Sequence, residues 1–142
     1  MSKFKKFLLV MVLVLIAGFA FAGPDVPDVV KNVLLQYIED NAARLHIVSD
    51  SSIPTDVSNT LGNVTIDASD FTIADGDTSG RKTTIAAQNI TTTGAGTARH
   101  WMLTNAAGDT IYDIGTITAK VVENAAVYEF ATVNLTEVRD AQ

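Results

Sequence analysis

The apolar residues of this chain change their spacing near Leu45, and this change constrains the fold more than any other sequence feature. From Val29 to about Arg44 they recur every three or four residues, which predicts one amphipathic helix. Beyond Leu45, short runs rich in threonine, valine and isoleucine alternate with turn residues, which predicts β-strands. We therefore expect residues 29–142 to form a mainly β domain, a small antiparallel sandwich or barrel-like structure preceded by the helix.

The helix is expected to follow Asp28 as its N-cap and to pack its apolar stripe on the sheet. That stripe consists of Val30, Val33, Leu34, Tyr37, Ile38 and Ala42. The opposite face is expected to be in solvent and carries Lys31, Gln36, Glu39 and Asp40. Because Leu34 lies in the middle of the stripe, Leu34→Ala is expected to cost about 2–5 kcal/mol, as truncations of buried leucine do.

Turn chemistry divides the rest of the chain into strands, with glycine, asparagine and aspartate at the breaks. Residues 49–63 are expected to form a polar loop, and Gly115 is expected to interrupt a strand pair. The expected strands are 45–48, 64–66, 71–73, 82–93, 97–104, 110–114, 116–122 and 127–138.

The N-terminus has the pattern of an export signal. Lys3, Lys5 and Lys6 form a basic head, residues 7–22 carry no charge, and Ala20-Phe21-Ala22 precedes Gly23 as a small-x-small cleavage site. Sixteen apolar residues are short for a bilayer, which takes about 20. Residues 1–22 are therefore expected to be a signal peptide or a membrane anchor, with the cleaved signal favoured. Any membrane contact would be made through residues 7–22 if they are retained, and residues 23–28 form a linker.

Charge and cysteine content exclude several classes of function. Three of the ten basic residues and none of the sixteen acidic ones lie before residue 23, so residues 23–142 carry a formal charge of −9. Such a surface repels phosphates, and direct nucleic-acid binding is not expected. The absence of cysteine excludes disulfides, thiolate metal sites and a cysteine nucleophile.

The segment Asp75–Gly80 has the beginning of a calcium loop. Asp75, Asp77 and Ser79 occupy the first, third and fifth positions, and Gly80 occupies the sixth. The twelfth position is Ala86, where a bidentate glutamate is expected. Since aspartate, glycine and serine also favour tight turns, we predict a plain turn and keep calcium as the alternative.

The two histidines, His46 and His100, each fall within a predicted strand. A hydrolytic triad needs an activated serine beside a histidine, and no nucleophile-elbow sequence is present. Two histidines with distant carboxylates also make a poor zinc site. We expect ordinary strand histidines, with His100 and Trp101 at an edge or contact surface. The chain is not expected to be an enzyme or to bind a cofactor.

Three segments, residues 34–49, 73–82 and 96–103, resemble in order and spacing small virion structural proteins of tailed bacteriophages, which are encoded among capsid and neck genes. The resemblance covers most of residues 29–140, and its motifs are turn and core patterns. It implies a structural role in which the domain binds the capsid, with capsid decoration as one form of this role, or associates with its own copies as a homo-oligomer. It implies no catalytic residues.

Two functions from different classes follow. The first is a virion structural protein that binds a capsid or self-associates. The second is an exported bacterial module, located in the periplasm, on the cell surface or outside the cell, that binds a protein partner. The export-type N-terminus favours the second function, and the resemblance favours the first.

Overall fold

The computed structural model describes residues 27–77 and 80–138, so the hydrophobic segment 7–22 lies outside the described residues. The expectation of a mainly β chain with antiparallel sheets is confirmed. The described elements are α1 (Asp28–Asn41), β1 (Arg44–Val48), β2 (Thr60–Thr65), a 3₁₀ turn (Ala68–Asp70), β3 (Phe71–Asp75), β4 (Arg81–Ile85), β5 (Gln88–Thr91), β6 (Gly96–Thr104), β7 (Ile111–Val122), β8 (Val127–Phe130) and β9 (Val133–Val138).

The described strands form three antiparallel sheets. A four-stranded sheet has the order β2-β1-β6-β7, a three-stranded sheet has the order β3-β4-β9, and β5 pairs with β8. In the largest sheet β1 and β6 are the central strands, with Ile47 opposite Trp101. Leu45 to Val48 of β1 are all buried, so both faces of this strand are covered, as its nearly continuous apolar run indicates.

One cluster of buried apolar side chains draws on strands of all three sheets. Leu45 comes from the four-stranded sheet, Ile85 from the three-stranded sheet and Ile90 from the two-stranded sheet. Trp101 meets Phe130 edge to face, with ring centroids 6.4 Å apart. Within the described residues, no buried side-chain nitrogen or oxygen lacks a hydrogen-bond partner. The cluster ties the sheets into one core.

The helix begins at Asp28, one residue earlier than expected, and Pro27 occupies the N-cap position without a side-chain cap. Its orientation also differs from the prediction. The buried positions are Lys31, Leu35 and Glu39, while Leu34 is 37% exposed. Lys31 and Glu39, which were expected in solvent, are thus buried, whereas Gln36 and Asp40 are exposed as expected. Half of the predicted apolar stripe is exposed, namely Val33, Leu34 and Tyr37.

Polar contacts to the three-stranded sheet hold the helix in this orientation. The Thr83 hydroxyl of β4 donates to Oε1 of Glu39 at 2.9 Å, inside the interface. Nε of Arg81 donates to Oδ1 of Asn32 at 2.9 Å. Lys31 lies 3.0 Å from Asp28 one turn earlier. Because these buried groups have partners, their burial does not carry the full desolvation cost of unpaired polar groups.

Several strand boundaries also differ from the prediction. Residues 82–93 form two strands, because the chain leaves β4 at Ala86 and enters β5 in another sheet. Residues 127–138 divide in the same way between β8 and β9. In contrast, β7 runs without interruption through Gly115, and β2 begins at Thr60 inside the predicted loop. Sheet pairing rather than local turn chemistry sets these boundaries.

Candidate interaction surface

The calcium candidate lies at the end of the β3–β4 hairpin, and each of its aspartates is paired with a cation of the chain. Arg81 binds the Asp75 carboxylate, and Lys82 binds the Asp77 carboxylate. Ser79 lies outside the described residues. Gly80 has φ = 77°, a left-handed conformation that glycine adopts readily. These features are those of a tight turn between strands.

Asp77 is also tied to β9. Its backbone N–H donates to Oε1 of Glu137 at 3.1 Å, and Asn134 Nδ2 donates to Asp77 Oδ2 at 3.1 Å. Across the described residues, no three or more histidine, aspartate or glutamate side chains are grouped so as to hold a metal ion. Lys82 and Asn134 thus each bond one oxygen of the Asp77 carboxylate.

Millimolar calcium is therefore expected to leave the melting temperature unchanged. A cation would have to displace Arg81 and Lys82 from the two carboxylates, and the loop has no acidic twelfth ligand. Thermal unfolding with and without calcium, with magnesium as the ionic-strength control, measures this. A rise of several degrees that is specific to calcium and lost in Asp77→Ala would identify a calcium site.

Both histidines are buried, so the expectation that His100 lies at an edge or contact surface was wrong. His100 is 7% exposed on the central strand β6, and its Nδ1 lies 3.1 Å from the carbonyl oxygen of Asp50. Trp101 beside it is 3% exposed. Successive residues of a strand face opposite sides of the sheet, and both side chains are buried, so both faces of β6 are covered at this point.

His46 contacts a threonine hydroxyl at each of its two ring nitrogens. The Thr104 hydroxyl donates to the Asn105 carbonyl at 2.9 Å, so it accepts from Nε2–H of His46 at 3.0 Å. Nδ1 is then the acceptor for the Thr60 hydroxyl at 3.2 Å. Burial, with a smaller contribution from the Arg44 charge, lowers the pKa of His46 below its usual 6.5. The arrangement joins β1, β2 and β6, and no described carboxylate is bonded to His46, as a triad would require.

Acidification from about pH 7.5 to about pH 5.5 is expected to lower the melting temperature more in the native protein than in His46→Gln. The pKa of His46 lies below 6.5 in the folded state and returns to 6.5 on unfolding. Between these values the unfolded chain binds more protons, so stability is full above pH 6.5 and falls with the pH. The pKa values of Asp56 and Asp67 lie below 3.8, and these groups titrate under more acidic conditions. Equal pH slopes for the two proteins would contradict this role of His46.

Several large apolar side chains on the outward side of α1 are exposed to solvent. Val29, Val33 and Tyr37 are 67%, 51% and 41% exposed. They follow one another at four-residue intervals and therefore form one stripe along the helix. Leu34 extends the stripe on one side. The apolar spacing of this stripe is visible in the sequence, but the prediction based on it placed the stripe in the contact between the helix and the sheet.

Tyr112 of β7 extends this stripe beyond the helix. Its ring meets that of Tyr37 edge to face, with centroids 6.1 Å apart. Burial raises the pKa of Tyr112 above its usual value, and Tyr37 and Asp109 add to the effect. We call Val29, Val33, Leu34, Tyr37 and Tyr112 the α1 surface.

An open groove of about 420 Å³ lies elsewhere, between β7 and the β8–β9 segment. Ile117 and Lys120 line one side, and Tyr128, Phe130 and Val133 line the other. Lys120 Nζ lies 5.0 Å from the centroid of the Tyr128 ring, so the lysine of the groove is already engaged by an aromatic face. Thr118 and Glu129 also line the groove.

Among the described residues, no helix is long and apolar enough to cross a bilayer. Comparisons of the chain with protein-family models, with curated proteins and with solved structures find no match.

Proposed function

We propose that this chain is a non-catalytic interaction protein, a virion component of the tailed-phage type that binds the capsid or associates with its own copies. The α1 surface is the observation that carries the proposal. A contiguous apolar stripe on the outside of a small domain costs solvation free energy unless another surface covers it. A protein that acts by docking retains such a surface.

The resemblance to small virion proteins is consistent with the positions of its three segments. Residues 34–49 join α1 to β1, residues 73–82 contain the β3–β4 turn, and residues 96–103 lie in β6. These are scaffold positions. We further propose that the three sheets enclose their common core as a sandwich or barrel-like domain, because Leu45, Ile85 and Ile90 of different sheets belong to one cluster.

Mass spectrometry of particles purified from cells that carry the gene tests this function. The expected result is that peptides of residues 29–138 remain with the particles through a density gradient and at a fixed ratio to the capsid protein. Recovery of the protein only in periplasmic or medium fractions, with none on particles, would contradict a virion role.

The second candidate is an exported bacterial binding module, which the basic head and the small-x-small end of residues 1–22 favour. If the leader is cleaved, the mature protein is expected to start at Gly23. The same mass spectra report this end directly. Dominant peptides that span Ala22–Gly23 would show that the leader is retained, and would favour an anchor.

A further inference from the structure

The three-stranded sheet brings a lysine, an aspartate and an asparagine into direct contact. Lys82 of β4 binds one oxygen of the Asp77 carboxylate, and Asn134 of β9 donates from Nδ2 to the other oxygen at 3.1 Å. The amine and the side-chain amide are therefore separated by a single carboxylate group. An amine, an amide carbon and an acid–base group are together the parts needed to form a new amide bond.

The register of β4 and β9 places these groups on one face of the sheet. Lys82 lies opposite Glu137, and Thr84 lies opposite Asn134. Between these two pairs β9 advances three residues while β4 advances two, so β9 contains a bulge. A bulge re-aims a side chain, and this one turns Asn134 to the face that carries Lys82. Thr83 points to the other face, where it contacts α1.

Asp77 is fixed in its position between the amine and the amide. Its backbone N–H donates to Oε1 of Glu137 at 3.1 Å, which ties the turn to β9. The Lys82 side chain is 16% exposed, whereas the Asp77 side chain is 60% exposed and stays in contact with water. Groups held in contact and well aligned react as if present at about 10⁵ M or more. Proximity is therefore the main contribution of this cluster to a reaction.

We propose that Lys82 and Asn134 join through a spontaneous isopeptide bond that Asp77 promotes. The Asp77 carboxylate takes a proton from the Lys82 ammonium group, and the neutral amine attacks Cγ of Asn134. As the bond between Cγ and Nδ2 breaks, Nδ2 receives that proton, and Nζ loses a second proton to the released ammonia. The products are one amide bond and one ammonium ion, and Asp77 is ionised again. The reaction occurs once in each chain and links β4 to β9 covalently.

Peptide mass spectrometry of the full chain tests this bond. Trypsin does not cleave after an acylated lysine, so residues 82–99 and 121–139 are expected in one branched peptide. This peptide is lighter than the sum of its two parts by one ammonia. Its amount is expected to increase during incubation of freshly purified protein until it exceeds that of the linear peptide 121–139. Absence of the branched peptide at every time point would overturn the proposal.

Three variants assign the roles within the cluster. Lys82→Arg keeps the positive charge without the amine and is expected to abolish the branched peptide. Asp77→Asn keeps the shape of the side chain and is expected to slow cross-linking by about a hundredfold, the lower end of acid–base catalysis. Lys120→Arg is the matched control, since Lys120 lies over the Tyr128 ring outside this cluster, and it should cross-link as the native protein does. Cooperative thermal unfolding of each variant shows that folded proteins are compared.

Two further results would contradict the inference. Loss of one ammonia that persists in Lys82→Arg would identify a succinimide, formed by Asn134 and the backbone nitrogen of Leu135, instead of a cross-link. Equal rates of cross-linking in the native protein and Asp77→Asn would remove the proposed role of the carboxylate. These results are independent of whether the protein is found on particles, so the virion proposal is tested separately.

Discussion

Gly115→Val is expected to destabilise the domain by about 3 kcal/mol or more, at the upper end of the cost of overpacking a core. Gly115 lies opposite Trp101 in the β6–β7 register. A Cβ at this position would overlap the indole atoms Cε2, Cζ2 and Nε1 of Trp101. The indole cannot move aside easily, because it is 3% exposed and packed against Phe130. Domains of this size are stable by only about 5–15 kcal/mol.

Denaturant unfolding of Gly115→Val beside Thr116→Val measures this effect. Thr116 is the next residue of β7 and is exposed, so its conversion to valine is expected to stay within about 0.5 kcal/mol. Trp101→Leu should also relieve part of the overlap, so the combined loss in Trp101→Leu/Gly115→Val is expected to be smaller than the sum of the single losses. Additive losses, or equal stability of the two valine variants, would show that Gly115 does not accommodate the indole.

Leu35→Ala is expected to cost about 2–5 kcal/mol, whereas Leu34→Ala is expected to cost less than about 1 kcal/mol. The two leucines are adjacent in α1, but Leu35 is fully buried and Leu34 is 37% exposed. Helix propensity changes little between leucine and alanine and is the same at both sites to a first approximation. The difference between the two losses of stability therefore shows which side of the helix packs against the sheet. The small loss now expected for Leu34→Ala replaces the larger loss that was expected from the sequence.

Free energies of unfolding for the two alanine variants, compared under identical conditions, give the orientation of α1 directly. Each variant is the control of the other, since both remove the same atoms from the same helix. A larger loss at Leu34 than at Leu35 would mean that the predicted stripe packs inward after all. The α1 surface would then be buried, and the docking inference based on it would be withdrawn.

The sequence determined the class of the fold and most of the strand positions. The change of apolar period after Leu45 separated one helix from a series of strands, and turn residues located β1, β3 and β6 closely. Such features can be found in the sequence alone, because buried and exposed residues alternate with the repeat of the helix or strand that contains them. Sequence also placed Asp77 in a turn, whereas Asp75 is the last residue of β3, and the pairing of these aspartates with Arg81 and Lys82 became visible only in the fold.

Strand continuity was decided by tertiary structure. Gly115 appeared to be a break because glycine is common between strands, yet β7 passes through it. The reason is the indole of Trp101, fourteen residues away, which needs a position without a side chain. Conversely, residues 82–93 have a composition typical of strands throughout. Their first half nevertheless belongs to the three-stranded sheet and their second half to the two-stranded sheet. Local composition contains no information on which partner strand is near.

The orientation of α1 likewise could not be predicted from the sequence. Its apolar residues support two stripes that share Ile38 and Ala42, one through Val33 and Leu34 and one through Leu35. Periodicity alone prefers the stripe with more apolar members. The fold chooses the other, since only that face brings Glu39 to the Thr83 hydroxyl and buries Leu35. Sequence thus determined that the helix is amphipathic, and packing against the sheet decided which side remained for a partner, because buried polar groups must find hydrogen bonds that only the assembled sheet provides.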